Sequence, residues 1–153
     1  MSDDLDEADQ KLLRMAYVEA LTAYDEGGYP IGAVLARDGK PLGRGRNRSI
    51  QDGNPVAFGE IEALKDAGRQ ETYEDTTLYT TLSPGMTGAG AIVQFGIARV
   101  VVGENANCGG NEDFLRAHGI DVLIADDPQC RDLMARFIQH KPQLWAKDPG
   151  NEQ

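Results

Sequence analysis

From residue 76 onward the chain alternates short apolar, β-branched runs with segments of helical character. TTLYTTL at 76–82, ARVVVG at 98–103 and IDVLIA at 120–125 read as strands. ARVVVG shows no polar alternation, as expected of a strand buried on both faces. Between the runs, segment 87–95 closes at Gly96 and segment 111–118 ends at Gly119. Glycine in these places stops a helix. A further helix is expected over 128–140, with Pro128 in its first turn. Strands that alternate with helices pair in parallel through right-handed crossovers.

The N-terminal half has a different grammar. Residues 6–26 read as a helix whose apolar face carries Leu13, Tyr17, Ala20, Leu21 and Tyr24. Asp4 and Asp6 suit the positive end of its dipole, and Gly27-Gly28 stops it. Two strands then flank the turn Arg37-Asp38-Gly39-Lys40, which predicts an antiparallel hairpin. Residues 48–56 read as a polar loop, 57–67 as a helix, and 142–148 as a last helical turn. The expectation is an α/β fold and a single domain over 1–153: a three-layer α/β/α sandwich around a five-stranded mixed sheet.

Composition narrows the function. The 153 residues carry 15 Lys+Arg against 25 Asp+Glu, a formal net charge of −10. Such a surface is ill suited to phosphate backbones, so no nucleic-acid partner is expected. No apolar run reaches the ~20 residues needed to span a bilayer, and the acidic start MSDDLDEADQ is not a secretory leader. The expected setting is cytoplasmic, away from membranes. Two Cys and two His exclude a disulfide framework and a cysteine-rich zinc module.

In a sheet of this kind ligands bind at strand ends and helix N-termini. Two segments qualify: Val56-Ala57-Phe58-Gly59-Glu60, and Ser83-Pro84-Gly85-Met86-Thr87-Gly88. The chain resembles the cytidine-deaminase-like superfamily, and most closely the fungal-type cytosine deaminases. The resemblance rests on EGGYPIGAVL at 26–35, LGRGRN at 42–47, GEIEAL at 59–64, DTTLYTTLSP at 75–84, GAIVQFGIARVVVGEN at 90–105 and QLW at 143–145. That family carries H-x-E and P-C-x-x-C motifs, in which one His and two Cys bind zinc and the Glu moves protons. Here the first motif reads Phe58-Gly59-Glu60 and the second Pro84-Gly85-Met86-Thr87-Gly88. Phe and Gly offer a metal no side-chain donor. His118, His140, Cys108 and Cys130 are scattered, although the loop carrying Cys108 follows a strand and can approach the site. No metal or other cofactor is therefore expected.

The resemblance also supplies roles. It places Glu60 as the proton-moving carboxylate and Asn47 on the substrate's ring edge. Ser83 contacts the substrate, and Trp145 and Asp148 lie in a C-terminal segment that closes over it. Ile31 is a pocket wall, and Phe58 can stack on a planar ring. Gly59, Gly85 and Gly88 bring bare backbone to the pocket. The N–H groups at Gly85 and Gly88 can hold an oxyanion, or these glycines can serve only close packing. Thr87 is a helix cap or a residue that positions water.

Two functional readings follow. The first is a metal-independent hydrolase that acts at a C–N carbon of a small planar nitrogen heterocycle or amidine-like substrate. Glu60 is then its general base or proton shuttle, with Ser83 and Thr87 beside it. The second is a non-catalytic relative that binds a base-like ligand or partners an active deaminase. The resemblance implies a homodimer in either case.

Overall fold

The computed structural model describes residues 5–147. Strand β1 (Gly32–Arg37) turns through Asp38-Gly39 into β2 (Lys40–Arg46). Both turn residues have positive φ, 52° and 75°. That is the two-residue hairpin whose twist suits antiparallel strands, and Asp-Gly is a favoured pair for it. β1 also pairs antiparallel with β3 (Thr76–Leu82), aligning Ala33 with Thr80. β4 (Arg99–Glu104) is parallel to β3, and β5 (Asp121–Ile124) is parallel to β4. The sheet order is β2-β1-β3-β4-β5. Hairpin and parallel half thus share one five-stranded mixed sheet, as the sequence predicts.

Side-chain alternation along β1 separates the two faces. Ala33 and Leu35 join a core with Leu78, Val100 and Val102. Helices α3 (Gly59–Ala67), α4 (Met86–Phe95) and α5 (Glu112–Ala117) cover that face with Ala63, Ala89, Ile92 and Leu115. Val34 and Ala36 face the other way, with Tyr79 and Val101, onto Leu12, Leu13 and Ala16 of α1 (Glu7–Asp25). Helices α6 (Pro128–His140) and α7 (Pro142–Lys147) complete the layers. Among the described residues no helix is long and apolar enough to cross a membrane.

Two details depart from the sequence reading. The buried stripe of α1 runs through Asp9, Leu12, Leu13, Ala16, Glu19, Ala20 and Ala23, whereas Tyr17, Leu21 and Tyr24 are only half-buried. Hydrophobicity alone misplaces the stripe because two of its members are acids with partners. Asp9 accepts from both terminal nitrogens of Arg99, at 2.9 and 2.8 Å, and from the Tyr79 hydroxyl. The Arg99 hydrogen bonds hold its carboxyl down at about 2, against the opposing pull of burial. The second departure is α2 (Ser49–Asp52), a single helical turn inside the segment read as a loop. Asn47 Oδ1 accepts from the Ser49 N–H and hydroxyl, which starts the turn, and Gly53 in the left-handed region ends it.

Because β1 runs antiparallel to β3, the start of β1 lies beside the end of β3. Ile31, Leu82 and the start of α4 therefore meet at one edge of the sheet. This is the edge onto which the carboxyl ends of the parallel strands open.

Candidate active site

Four segments enclose a cavity of about 440 Å³ at that edge. Ile31 and Asn47 flank the hairpin. Phe58 and Glu60 open α3. Residues 82–88 join β3 to α4, and residues 108–111 follow β4. The volume is in the range of small-molecule sites and suits a ligand of one or two rings.

Glu60 is 5% exposed and sits in the first turn of α3. Phe58 caps that helix with extended backbone, φ −77° and ψ 154°, and with no side-chain hydrogen bond. Its half-buried ring is left to line the cavity. The Glu60 side chain packs against the first turn of α4. A Cβ built on Gly88 would stand 2.4 Å from Glu60 Oε2 and 2.7 Å from its Cδ and Cγ. A carboxylate is favoured there by the helix dipole. Glycine at 88 and glutamate at 60 are thus a matched pair.

A contrast within α4 tests this. A Cβ at Gly90 meets nothing within 4 Å. Gly90→Ala is expected to be neutral or to stabilise by up to about 1 kcal/mol, by removing backbone freedom from the unfolded chain. Gly88→Ala is expected to leave the fold intact, because the flexible end of Glu60 can swing aside. It displaces the carboxylate, however, so activity falls with little change in Tm. Unfolding curves and turnover for both variants separate the two effects.

Asn47, 2% exposed, is fixed by its backbone N–H donating to Ile31 O at 2.9 Å. Its side-chain oxygen is occupied by Ser49, from the N–H at 3.0 Å and the hydroxyl at 2.8 Å. The remaining polar end of that side chain is an NH2 group, a donor. Gly59 does not line the cavity. It lets α3 approach β1: a Cβ there would lie 3.3 Å from Ile31 O. Thr87 lines the cavity from an exposed position on α4.

Ser83 is buried, and its N–H donates to Glu104 O at 3.1 Å. Its hydroxyl donates to Glu112 Oε2. Glu112 Oε1 accepts the Gly110 N–H at 3.0 Å, and Asn105 reaches Oε2 at 3.5 Å. Burial alone would push the Glu112 carboxyl up. The hydrogen bonds from Ser83 and the surrounding backbone outweigh it, and the net direction is down. Glu104 is fully buried and accepts from the backbone and side chain of Asn107, both at 3.0 Å. Burial pushes its carboxyl up. These contacts shape the loop that brings Cys108 to the cavity.

The structure therefore gathers Ile31, Asn47, Phe58, Glu60, Ser83, Gly85, Thr87 and Gly88 around one space. Trp145 does not line it. The indole belongs to an apolar cluster with Tyr29, Ile31, Leu82, Met134 and Phe137, and so backs two wall residues. Asp148 lies outside the described residues. Residues 109–111 and Glu112 were not among the expected site residues. Their signal in the sequence is topological: they follow β4, at the same sheet edge.

The family model of the cytidine and deoxycytidylate deaminase zinc-binding region matches residues 6–104. A cytosine deaminase of Candida albicans is 46% identical over 145 residues, covering 93% of this chain and 97% of that protein. The chain belongs to the cytidine and deoxycytidylate deaminase family. A tRNA-specific adenosine deaminase of Haemophilus influenzae is 40% identical over 150 residues, covering 88% and 86% of the two chains. A solved tRNA A34 deaminase superposes with a TM-score of 0.67 at 29% identity, over 75% of this chain and 97% of that one. The matched region of this deaminase-family chain holds both the Phe58–Glu60 and Ser83–Gly88 segments. Among the described residues, no group of three or more His, Cys, Asp or Glu is placed to hold a metal ion.

Proposed function

We propose that this protein is a zinc-independent hydrolase acting at a C–N carbon of a small planar nitrogen heterocycle or amidine-like molecule. The observation that carries this is the buried Glu60 carboxylate in a ring-sized cavity of a deaminase-family fold. The family model names zinc, and a zinc site needs about four N, S or O ligands. The residues that line the cavity do not fit that need. Among the described residues that line it, Glu60 is the carboxylate and Cys108 the thiol, and no imidazole is present.

In this reading Glu60 takes a proton from water as the water oxygen bonds to the ring carbon. The proton passes to the departing amine, the C–N bond breaks, and ammonia leaves. The N–H groups of Gly85, the N-cap of α4, and of Gly88 in its first turn are the donors for the charge that develops. Asn47 donates to the ring edge, Ser83 and Thr87 orient substrate and water, and Ile31 and Phe58 hold the ring faces. Trp145 supports the Ile31 and Leu82 wall from behind. Without zinc to acidify water, the substrate is a carbon more electrophilic than that of cytosine. The net charge of −10 supports a free small molecule rather than RNA, although some relatives act on tRNA. Self-association is part of the reading: Met86 on the cavity wall and Val56 near Phe58 are 59% and 54% exposed.

The test is ammonia release from a panel of aminated, electron-poor heterocycles, before and after exhaustive chelation. The expected result is unchanged turnover, with far less than one zinc per chain by elemental analysis. Activity lost on chelation and restored by zinc would overturn the reading. Ligand binding with no turnover across the panel would favour the second reading, a base-binding protein that has lost the zinc chemistry.

A further inference from the structure

We infer that Glu112 sets the hydrogen-bond polarity of the cavity at Ser83, by holding the Ser83 hydroxyl so that it accepts from a ligand and does not donate. The inference rests on the proposed heterocycle site and specifies its ligand further. Ser83 lines the cavity, and Glu112 does not. The Ser83 hydroxyl has one hydrogen, and that hydrogen is given to Glu112 Oε2. An ionised carboxylate can only accept, so the direction of this bond is fixed. The other donors around Glu112, Gly110 N–H and Asn105, also require an accepting carboxylate. Ser83 Oγ is left with lone pairs to offer the cavity.

A rival reading makes Glu112 the base that turns Ser83 into a nucleophile. Glu112 is poorly suited to that role. Its hydrogen bonds hold its carboxyl below the usual range, which weakens it as a base toward a hydroxyl. A positioning role uses the same contacts without that conflict. The ligand class follows: a planar heterocycle that presents an N–H or NH2 donor to the Ser83 wall.

The test uses two neutral six-membered rings. 2-Pyridone carries a ring N–H donor and a carbonyl acceptor, whereas pyrimidine carries acceptors only. Dissociation constants for both are measured by ligand-observed NMR on the wild type, Glu112→Gln and Ser83→Ala. In Glu112→Gln the new amide places its oxygen at the Gly110 N–H, the fixed 3.0 Å contact, and its NH2 at Ser83. The Ser83 hydrogen then turns into the cavity. The wild type is expected to prefer 2-pyridone. The preference falls by about tenfold in Glu112→Gln, the usual worth of one hydrogen bond, and also falls in Ser83→Ala. A merely structural role would weaken both probes alike and leave the ratio untouched. An unchanged ratio in the variants, with both probes still bound, overturns the inference and leaves the heterocycle site standing. If Glu112→Gln does not fold, Ser83→Ala decides by the same ratio. If neither probe binds the wild type, the site reading fails and the inference fails with it.

Discussion

Glu60→Gln is expected to lower kcat by about 10²- to 10⁴-fold on any substrate the protein turns over, roughly 3–5 kcal/mol of transition-state stabilisation. The replacement keeps the volume of a side chain that is 5% exposed and packed against Gly88, so the cavity keeps its shape. What is lost is the capacity to take a proton. A general base acts in the transition state more than in binding, so KM is expected to change little. Glu60→Asp is the useful companion. It keeps the base but withdraws it by one methylene from α4, and it is expected to retain more turnover than Gln. Equal, undiminished turnover in both variants would remove Glu60 from the mechanism. Melting curves that match the wild type are the control for folding.

The parts of this molecule that were legible in the sequence are those written as pattern. The hairpin is announced by Asp38-Gly39, whose positive φ values the structure shows. The parallel strands are announced by TTLYTTL, ARVVVG and IDVLIA, which become β3, β4 and β5 within a residue or two at each end. The cavity was legible because strand ends and helix starts must converge in this topology, and eight of the expected residues line it. Features that depend on one side chain finding a distant partner were not legible. Asp9 is buried because Arg99 lies across the sheet, 90 positions away in sequence. Glu112 stands behind the site because Ser83, 29 positions earlier, donates to it. Neither pairing leaves a periodic trace. Trp145 shows the converse. An aromatic residue near a pocket reads as a ligand contact, yet here its ring packs into the apolar cluster that supports Ile31 and Leu82.

Gly32→Ala is expected to destabilise the protein by about 3 kcal/mol or more, at or beyond the upper range for overpacking one methyl group. Gly32 is not among the glycines with positive φ, so its backbone could accept alanine. The obstacle is α1. A Cβ at this position would stand 2.1 Å from Ala16 O and 2.7 Å from Ala20 N. These are backbone atoms of a helix whose Ala16 and Ala20 are fully buried, so they cannot rotate away as a side-chain tip can. Relief requires α1 to lift from the sheet, and α1 is anchored at its other end by Asp9 on Arg99 and Tyr79. At 2–4 °C per kcal/mol for a chain of this size, Tm is expected to fall by roughly 10 °C. The damage also reaches the cavity. Ile31 precedes Gly32, and its carbonyl holds the Asn47 N–H and lies against Gly59. A shift at the start of β1 therefore loosens two walls at once, and ligand affinity is expected to fall with stability. Gly90→Ala, a methyl added in open space, supplies the comparison. If Gly32→Ala melts with the wild type, α1 does not sit on β1 as closely as described, and the rigidity assigned to the Ile31–Asn47 wall loses its physical basis.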